Sequence, residues 1–262
     1  MLEAAHAARL DFVVLAEHVP EDAEGELPGA DRRGVYGDER EGRRLRVMTG
    51  GEFGTLDGHL LGYGLTQAIP TRGLSGAQAI DAIHAAGGFA VVPHPFRFGG
   101  WTDWDADFDG IEVSNHAVAL REEVGPLLPF RLLRLAYSRD AAMRARLGRP
   151  DRELALLDER HALRERRVIA FQGSDAHQNV SLLGWQIDRY SEIFAALHTV
   201  CPDGPLSEAW IWKALREGRC RIRYAIFDER SGEAEPVELP SGRVELQLDA
   251  GRRVLEIRQF PD

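Results

Sequence analysis

The sequence predicts an α/β barrel with its chemistry at one rim, and three observations carry that expectation. Apolar runs of strand length alternate along the chain with helix-like segments, the order in which an α/β sheet is built. Four of those runs pass directly into carboxylate or imidazole side chains, and ligand-bearing strand ends gathered at one face are how such folds make a site. With 262 residues, 44% hydrophobic and 28% charged, the chain can bury one large core and carry a small appendage.

Met1 to Leu10 is alanine-rich and helical, and His6 within it reads as a surface or packing residue. Asp11 to Ala16 is the first apolar run and leads into Glu17 and His18. The polar stretch 21–42 reads as a surface loop that could border the site. Leu45 to Met48 continues through Thr49-Gly50-Gly51 into Glu52, and Gly58 to Tyr63 is a strand that opens with His59. Ser75-Gly76-Ala77-Gln78 has the pattern of a capping box, starting a helix through Ile80 and Ile83 that Gly87-Gly88 stops. His84 inside it reads as a packed or solvent-edge histidine. Phe89 to Val92 ends in Pro93-His94-Pro95, with Arg97 three residues on, and Gly110 to Asn115 carries Glu112 and Asn115.

The region 117–167 differs in holding twelve arginines against eight acidic residues, and its length exceeds an ordinary connection. It reads as a helical insertion in which Leu154, Leu157 and His161 share the face docked on the core. Val168 to Phe171 closes in Gly173-Ser174-Asp175-Ala176-His177. In extended chain, positions two apart point to the same side, so Asp175 and His177 could enter one shared metal site, although Asp and His also cap turns. Ser207 caps a helix through Trp210, Ile211, Ala214 and Leu215 to Gly218. Strand-like runs at Arg219 to Phe227, Pro236 to Leu239, Arg243 to Leu248 and Arg252 to Arg258 complete the chain, with residues 229–262 forming a β appendage.

Taken together, Ala16-Glu17-His18, Gly50-Gly51-Glu52, the run Ala86 to Pro95, Gly110 to Asn115, and Gly173 to His177 resemble, in order, the motifs of the PHP (polymerase and histidinol phosphatase) family. The resemblance covers residues from about 1 to 225. It implies a distorted TIM-like (β/α)7 barrel over residues 1–228, holding two to three divalent ions, zinc, manganese or iron. On that resemblance Glu52 bridges two ions, Asp175 belongs to the first site, His59 and His94 to the second, and His18 and His177 to the third. Glu17 stands where the family has aspartate and orients a ligand. From its place three residues past His94, Arg97 either holds a phosphate or carboxylate or is an exposed structural arginine, and Glu112 and Asn115, at the end of another strand on the same face, support the ligands from behind.

The implied activity is a phosphoesterase acting on a small phosphorylated substrate through a metal-bound hydroxide. Asp57 to Gly64 and Ala214 to Arg219 look most like the branch that includes carbaryl (carbamate) hydrolases, which would make the substrate a carboxylic or carbamic ester. One departure weighs against full activity. The family begins with a strand carrying H-x-H, and nothing here matches it, so the barrel is expected to lack its first strand, to hold fewer ions, and to be a shortened or impaired metal-binding member unless a start lies upstream.

Composition removes several other classes. A formal net charge of −10 argues against nucleic acid, whose phosphates need a basic face. No run is long enough to span a bilayer, and the N-terminus lacks a signal-peptide pattern. Two cysteines, Cys201 and Cys220, make no disulfide framework, so a reducing, cytoplasmic compartment and a small-molecule partner are the expectation.

Overall fold

The computed structural model describes residues 1–38, 43–97, 100–115, 150–163, 168–176, 181–182, 185–186, 189–225, 237–238, 244–249 and 254–260. Helix α1 (Leu2–Ala7) leads into β1 (Phe12–Val19), followed by β2 (Gly34–Asp38), β3 (Arg43–Thr55), β4 (Gly58–Tyr63), α2 (Gly76–Ala85), β5 (Phe89–Val92) and β6 (Gly110–Asn115). Then come α3 (Asp151–Leu163), β7 (Ile169–Gly173), a short pair β8 (Ser181–Leu182) and β9 (Trp185–Gln186), α4 (Tyr190–Ala196), β10 (Leu197–Val200) and α5 (Glu208–Arg216). Strands β11 (Arg221–Ala225), β12 (Val237–Glu238), β13 (Val244–Asp249) and β14 (Val254–Gln259) end the chain.

The main sheet has the order β1-β3-β4-β5-β6-β7, with β2 paired to β3, and it curls without closing. This corrects the expected (β/α)7 barrel. β1 and β3 are parallel, as are β5, β6 and β7, but β4 runs antiparallel to both of its neighbours. The physical reason is connection length. Leu56 and Asp57 alone link β3 to β4, whereas a parallel crossover needs a dozen residues or more. Thr55 Oγ1 accepts from the Asp57 amide at 3.1 Å and donates to the Gly58 carbonyl at 2.8 Å, which fixes that reversal. The stretch 21–42, read as a loop, contributes β2, another antiparallel partner of β3.

The strands are apolar on successive positions because both faces of the sheet are covered. Ala90 and Val92 of β5, and Val168 and Ala170 at β7, join a cluster with Ile80 and Ile83 of α2 and Leu154 and Leu157 of α3. Their alternates Phe89, Val91, Ile169 and Phe171 face the other way, with Tyr63 of β4 and Trp212 of α5 packed on them. Helix α2 begins with the capping box expected of Ser75 and Gln78, and Gly87, at φ 81°, follows its end. Ser207 likewise caps α5, accepting from the Trp210 amide. His161 is buried on α3 against the Val168 carbonyl, and His84 contacts Asp109 at 2.7 Å. The remainder of the expected insertion, 117–149 and 164–167, lies outside the described residues.

A second sheet, antiparallel in the order β10-β11-β14-β13-β12, packs on the first through Ile222, Val244 and Ile257. It draws β10 and β11 from before residue 229. Its Gln259 amide bonds both ways with the edge of β7, donating to the Ala170 carbonyl at 3.0 Å and accepting from the Ala170 amide at 2.7 Å. Next to the β10–β11 pair, Cys201 and Cys220 form a disulfide that ties the two ends of the α5 segment. The expectation of a reducing compartment did not foresee this pairing, which depends on a strand register that spacing in the sequence does not reveal. Closing a loop of 19 residues constrains the unfolded chain. Replacing both cysteines by serine is therefore expected to lower the unfolding free energy by about 3 kcal/mol. Urea denaturation measures this directly, and an unchanged midpoint would show the disulfide to be energetically idle.

Candidate metal centre

Register builds the site. In the β1–β3 ladder His18 stands opposite Glu52, and in the β3–β4 ladder Gly54 stands opposite His59. Glu52 thus receives imidazoles from the strand on either side. His94, just past β5, completes the group from across β4, its backbone turned to φ 30°. The His59 Nδ1 lies 2.5 Å and the His94 Nε2 3.4 Å from Glu52 Oε1, while His18 Nε2 is 3.6 Å from Oε2. Glu52 and His94 are buried, and His18, 58% exposed at its side chain, stands at the mouth. Among the described residues, Glu52, His59 and His94 form a group that could hold a metal ion, each offering one donor atom with all of these within 4.8 Å of one another.

Two details fit that use. The His59 Nδ1, although close to Glu52, lacks hydrogen-bond alignment, and the His94 Nδ1 is also buried without a hydrogen-bond partner. Buried imidazole nitrogens are ordinarily satisfied, so donors left in this state are arranged for something other than protein hydrogen bonding.

The other expected residues fall into two groups. Glu112, buried in β6, accepts from the His94 backbone amide and from Asn115 Nδ2, both at 2.9 Å, so that Asn115 holds the carboxylate that positions His94. Asp175, at φ 45°, lines the same cavity and lies 4.0 Å from Arg97 Nη1. Glu17 pairs with Arg32. His177 lies outside the described residues.

The electrostatics follow from burial and contact. Burial by itself would raise the Glu52 carboxyl, but His59 and His94, with the charges of His18 and His59, outweigh it and hold the group well below the usual carboxylate range. Burial pulls the His94 ring down, and Glu52, Glu112 and Asp175 push it above its ordinary value. Glu112 goes the other way from Glu52: burial lifts it to about 7 against the hydrogen bonds from Asn115 and the His94 amide. Tyr63 is raised by burial and then by Glu112 and Glu52, so its hydroxyl keeps its proton.

Sequence reasoning missed Tyr63 and Trp212 as parts of this cavity. Tyr63 was within reach, because it follows His59 at an even spacing along β4 and so shares its side of the sheet. Trp212 was not, since its helix arrives from a distant part of the chain.

No family model matches the chain. A protein of Methanocaldococcus jannaschii, described as uncharacterized, is 37% identical over 75 residues, which is 27% of this chain and 43% of that protein. The chain thus spans less than half the length of that relative. No described helix is long and apolar enough to cross a membrane.

Two outcomes are expected here. A side chain at Gly173 would place its Cβ 1.6 Å from Glu112 Oε1, so Gly173→Ala must displace the carboxylate and with it His94. Loss of metal affinity by roughly 10- to 100-fold, read by titration calorimetry, is the predicted result. Glu112 holds its proton in the folded chain up to about pH 7, while the unfolded chain loses it near 4.5, so the folded state binds more protons in between and stability falls as pH rises through that window. In metal-free protein, Glu112→Gln should remove a decline of up to about 3 kcal/mol between those two pH values. Parallel wild-type and variant denaturation curves across the window would refute this.

Proposed function

We propose that this chain is a metal-dependent hydrolase acting on an ester bond. The observation that carries the reading is the convergence of donor atoms of the buried Glu52 and His94 and the partly buried His59 beside a cavity. Carboxylate and imidazole donors without thiolate suit zinc, manganese or iron, and three protein ligands match the usual number at a catalytic zinc. The motif resemblance to PHP hydrolases supports the same reading.

A divalent ion held there supplies an activated water and positive charge near the developing oxyanion. The protein's own contribution is positional. Glu52 stays ionised, so its donor oxygens need no deprotonation before an ion binds. Glu112, fixed by Asn115, holds the backbone of His94, and His18 stands where an incoming substrate first meets the site. Arg97 approaches the Asp175 carboxylate and can steady it or a polar substrate group.

Metal analysis paired with hydrolysis of 4-nitrophenyl phosphate and 4-nitrophenyl acetate tests the reading. Protein loaded with zinc or manganese should turn over one of these esters, and a chelator should remove the activity. Glu52→Ala is expected to lower both metal retention and rate by roughly 100-fold or more. Metal-loaded wild type without turnover, or a rate indifferent to Glu52, would overturn it.

A further inference from the structure

Tyr63 lines the cavity of about 570 Å³ beside Glu52, and nothing in the metal centre uses its hydroxyl. Its seat follows from register. In the β3–β4 ladder Glu52 stands opposite Leu61, and residues directly opposite in an antiparallel pair project to the same side. His59 and Tyr63 lie two positions either side of Leu61, so the ligand histidine, Glu52 and the phenol all face the same way. Gly50 lies two positions before Glu52 on that side, and a Cβ there would come within 2.6 Å of Tyr63 Cδ1. The ring rests on the strand that carries Glu52 because residue 50 has no side chain.

Aromatic neighbours hold the ring in place. Trp212 stacks on it with centroids 5.6 Å apart and planes 27° apart, Phe171 stacks at 6.0 Å, and Phe89 lies tilted at 5.5 Å. Trp212 is fixed in turn, since its indole N–H donates to Glu208 at 3.2 Å and Arg33 clamps Glu208 at 2.7 and 3.0 Å. This aromatic wall sets where the Tyr63 hydroxyl stands before any ligand arrives, and a donor placed in advance needs no reorganisation when charge develops.

Packing accounts for the ring and not for its oxygen. Phe89 and Phe171, 5.8 Å apart, belong to the same stack without a hydroxyl, and a phenol packed between aromatic rings ordinarily has its O–H satisfied by the protein. Among the described residues no hydrogen bond engages the Tyr63 hydroxyl. It also keeps its proton, held above the ordinary range first of all by burial. A proton-bearing O–H on the ligand side of the sheet, at a cavity of a size for a small organic molecule, is a donor without an acceptor until a ligand supplies one.

We propose that Tyr63 is a catalytic residue of this site, its hydroxyl donating a hydrogen bond to the substrate oxygen on which negative charge gathers as water attacks the ester. The proposal rests on the hydrolase reading and adds a protein donor to it. Water's oxygen bonds to the acyl carbon or the phosphorus, the bond from that atom to the alcohol oxygen breaks, and the alcohol oxygen takes one of the water's protons. Tyr63 gives up no proton at any stage. Its hydrogen bond strengthens as the accepting oxygen becomes an anion, which favours the transition state over the bound ester.

Tyr63→Phe removes the oxygen and keeps the stack, and the test compares it with wild type in zinc-loaded protein. Titration calorimetry with acetate and with inorganic phosphate, the anions that the two 4-nitrophenyl esters release, reads the donor without turnover. Anion affinity should fall about tenfold while zinc affinity is unchanged. On the ester that is turned over, kcat should fall about 100-fold with little change in KM. Because the lost oxygen has no described partner, the variant should keep the wild-type unfolding midpoint in urea. Unchanged anion affinity or kcat would overturn the proposal, and so would a loss of zinc affinity matching the loss of rate, or a lowered midpoint, which assign the hydroxyl to the ligands or to packing. Anion binding that depends on Tyr63 with neither ester hydrolysed would instead sink the hydrolase reading and leave the hydroxyl as the donor to a bound anion.

Discussion

An ionised carboxylate in a buried position has to be compensated, and at Glu52 the compensation comes from histidines on three other stretches of chain. Leaving such a charge unpaired away from water costs several kcal/mol, so the arrangement constrains everything that supplies a partner. β3 must be long enough to pair β1 on one edge and β4 on the other. β4 must reverse at once to bring His59 alongside, and β5 must end where His94 can reach across. The tight turn at Leu56 and Asp57 is therefore as much a part of the centre as its ligands.

Behind the ligands lies a second carboxylate with the opposite electrostatics. Glu112 is close to His94 and completely enclosed, yet burial outweighs its two hydrogen bonds and favours the protonated form up to about pH 7. Glu52 and Glu112 thus show how similar groups only a few residues of structure apart diverge when one has imidazoles in contact and the other has neutral donors. The absence of a side chain at Gly173 is what leaves Glu112 its place, and the φ above zero at His94 and Asp175 marks backbone bent to present donors, a cost usually met where geometry serves a site.

The sheet curls and stays open, with β1 and β7 at its two ends. The cavity lies between those ends. On the β7 side, part of the work of a neighbouring strand falls to the Gln259 side chain, which satisfies the amide and carbonyl of Ala170. Helix α5, held by the Cys201–Cys220 disulfide and by Arg33 and Arg46, brings Trp212 against Tyr63 and supplies the aromatic wall. Without closure of the sheet to pack its own interior, that volume is lined by β1, β4 and the ends of β5 and β6 on one part and by β7, α4, β10 and α5 on the other.

By itself the sequence determined the local features. The apolar runs are strands, Ser75 and Ser207 cap helices, and Glu52 and His59 in strands and His94 just past one stand at positions from which donors can converge, because each of these depends on residues a few positions apart. The tertiary structure alone decided the rest. An apolar run looks the same in a parallel and an antiparallel ladder, so the direction of β4, and with it the change from a barrel to an open mixed sheet, was invisible to periodicity, although the two-residue turn carried the signal. The ion pair of Glu17 with Arg32 also joins residues that no local pattern connects. The disulfide, the proton on Glu112 and the wall at Trp212 likewise arise from groups far apart in sequence, whose energies are set by enclosure and contact that no local pattern encodes.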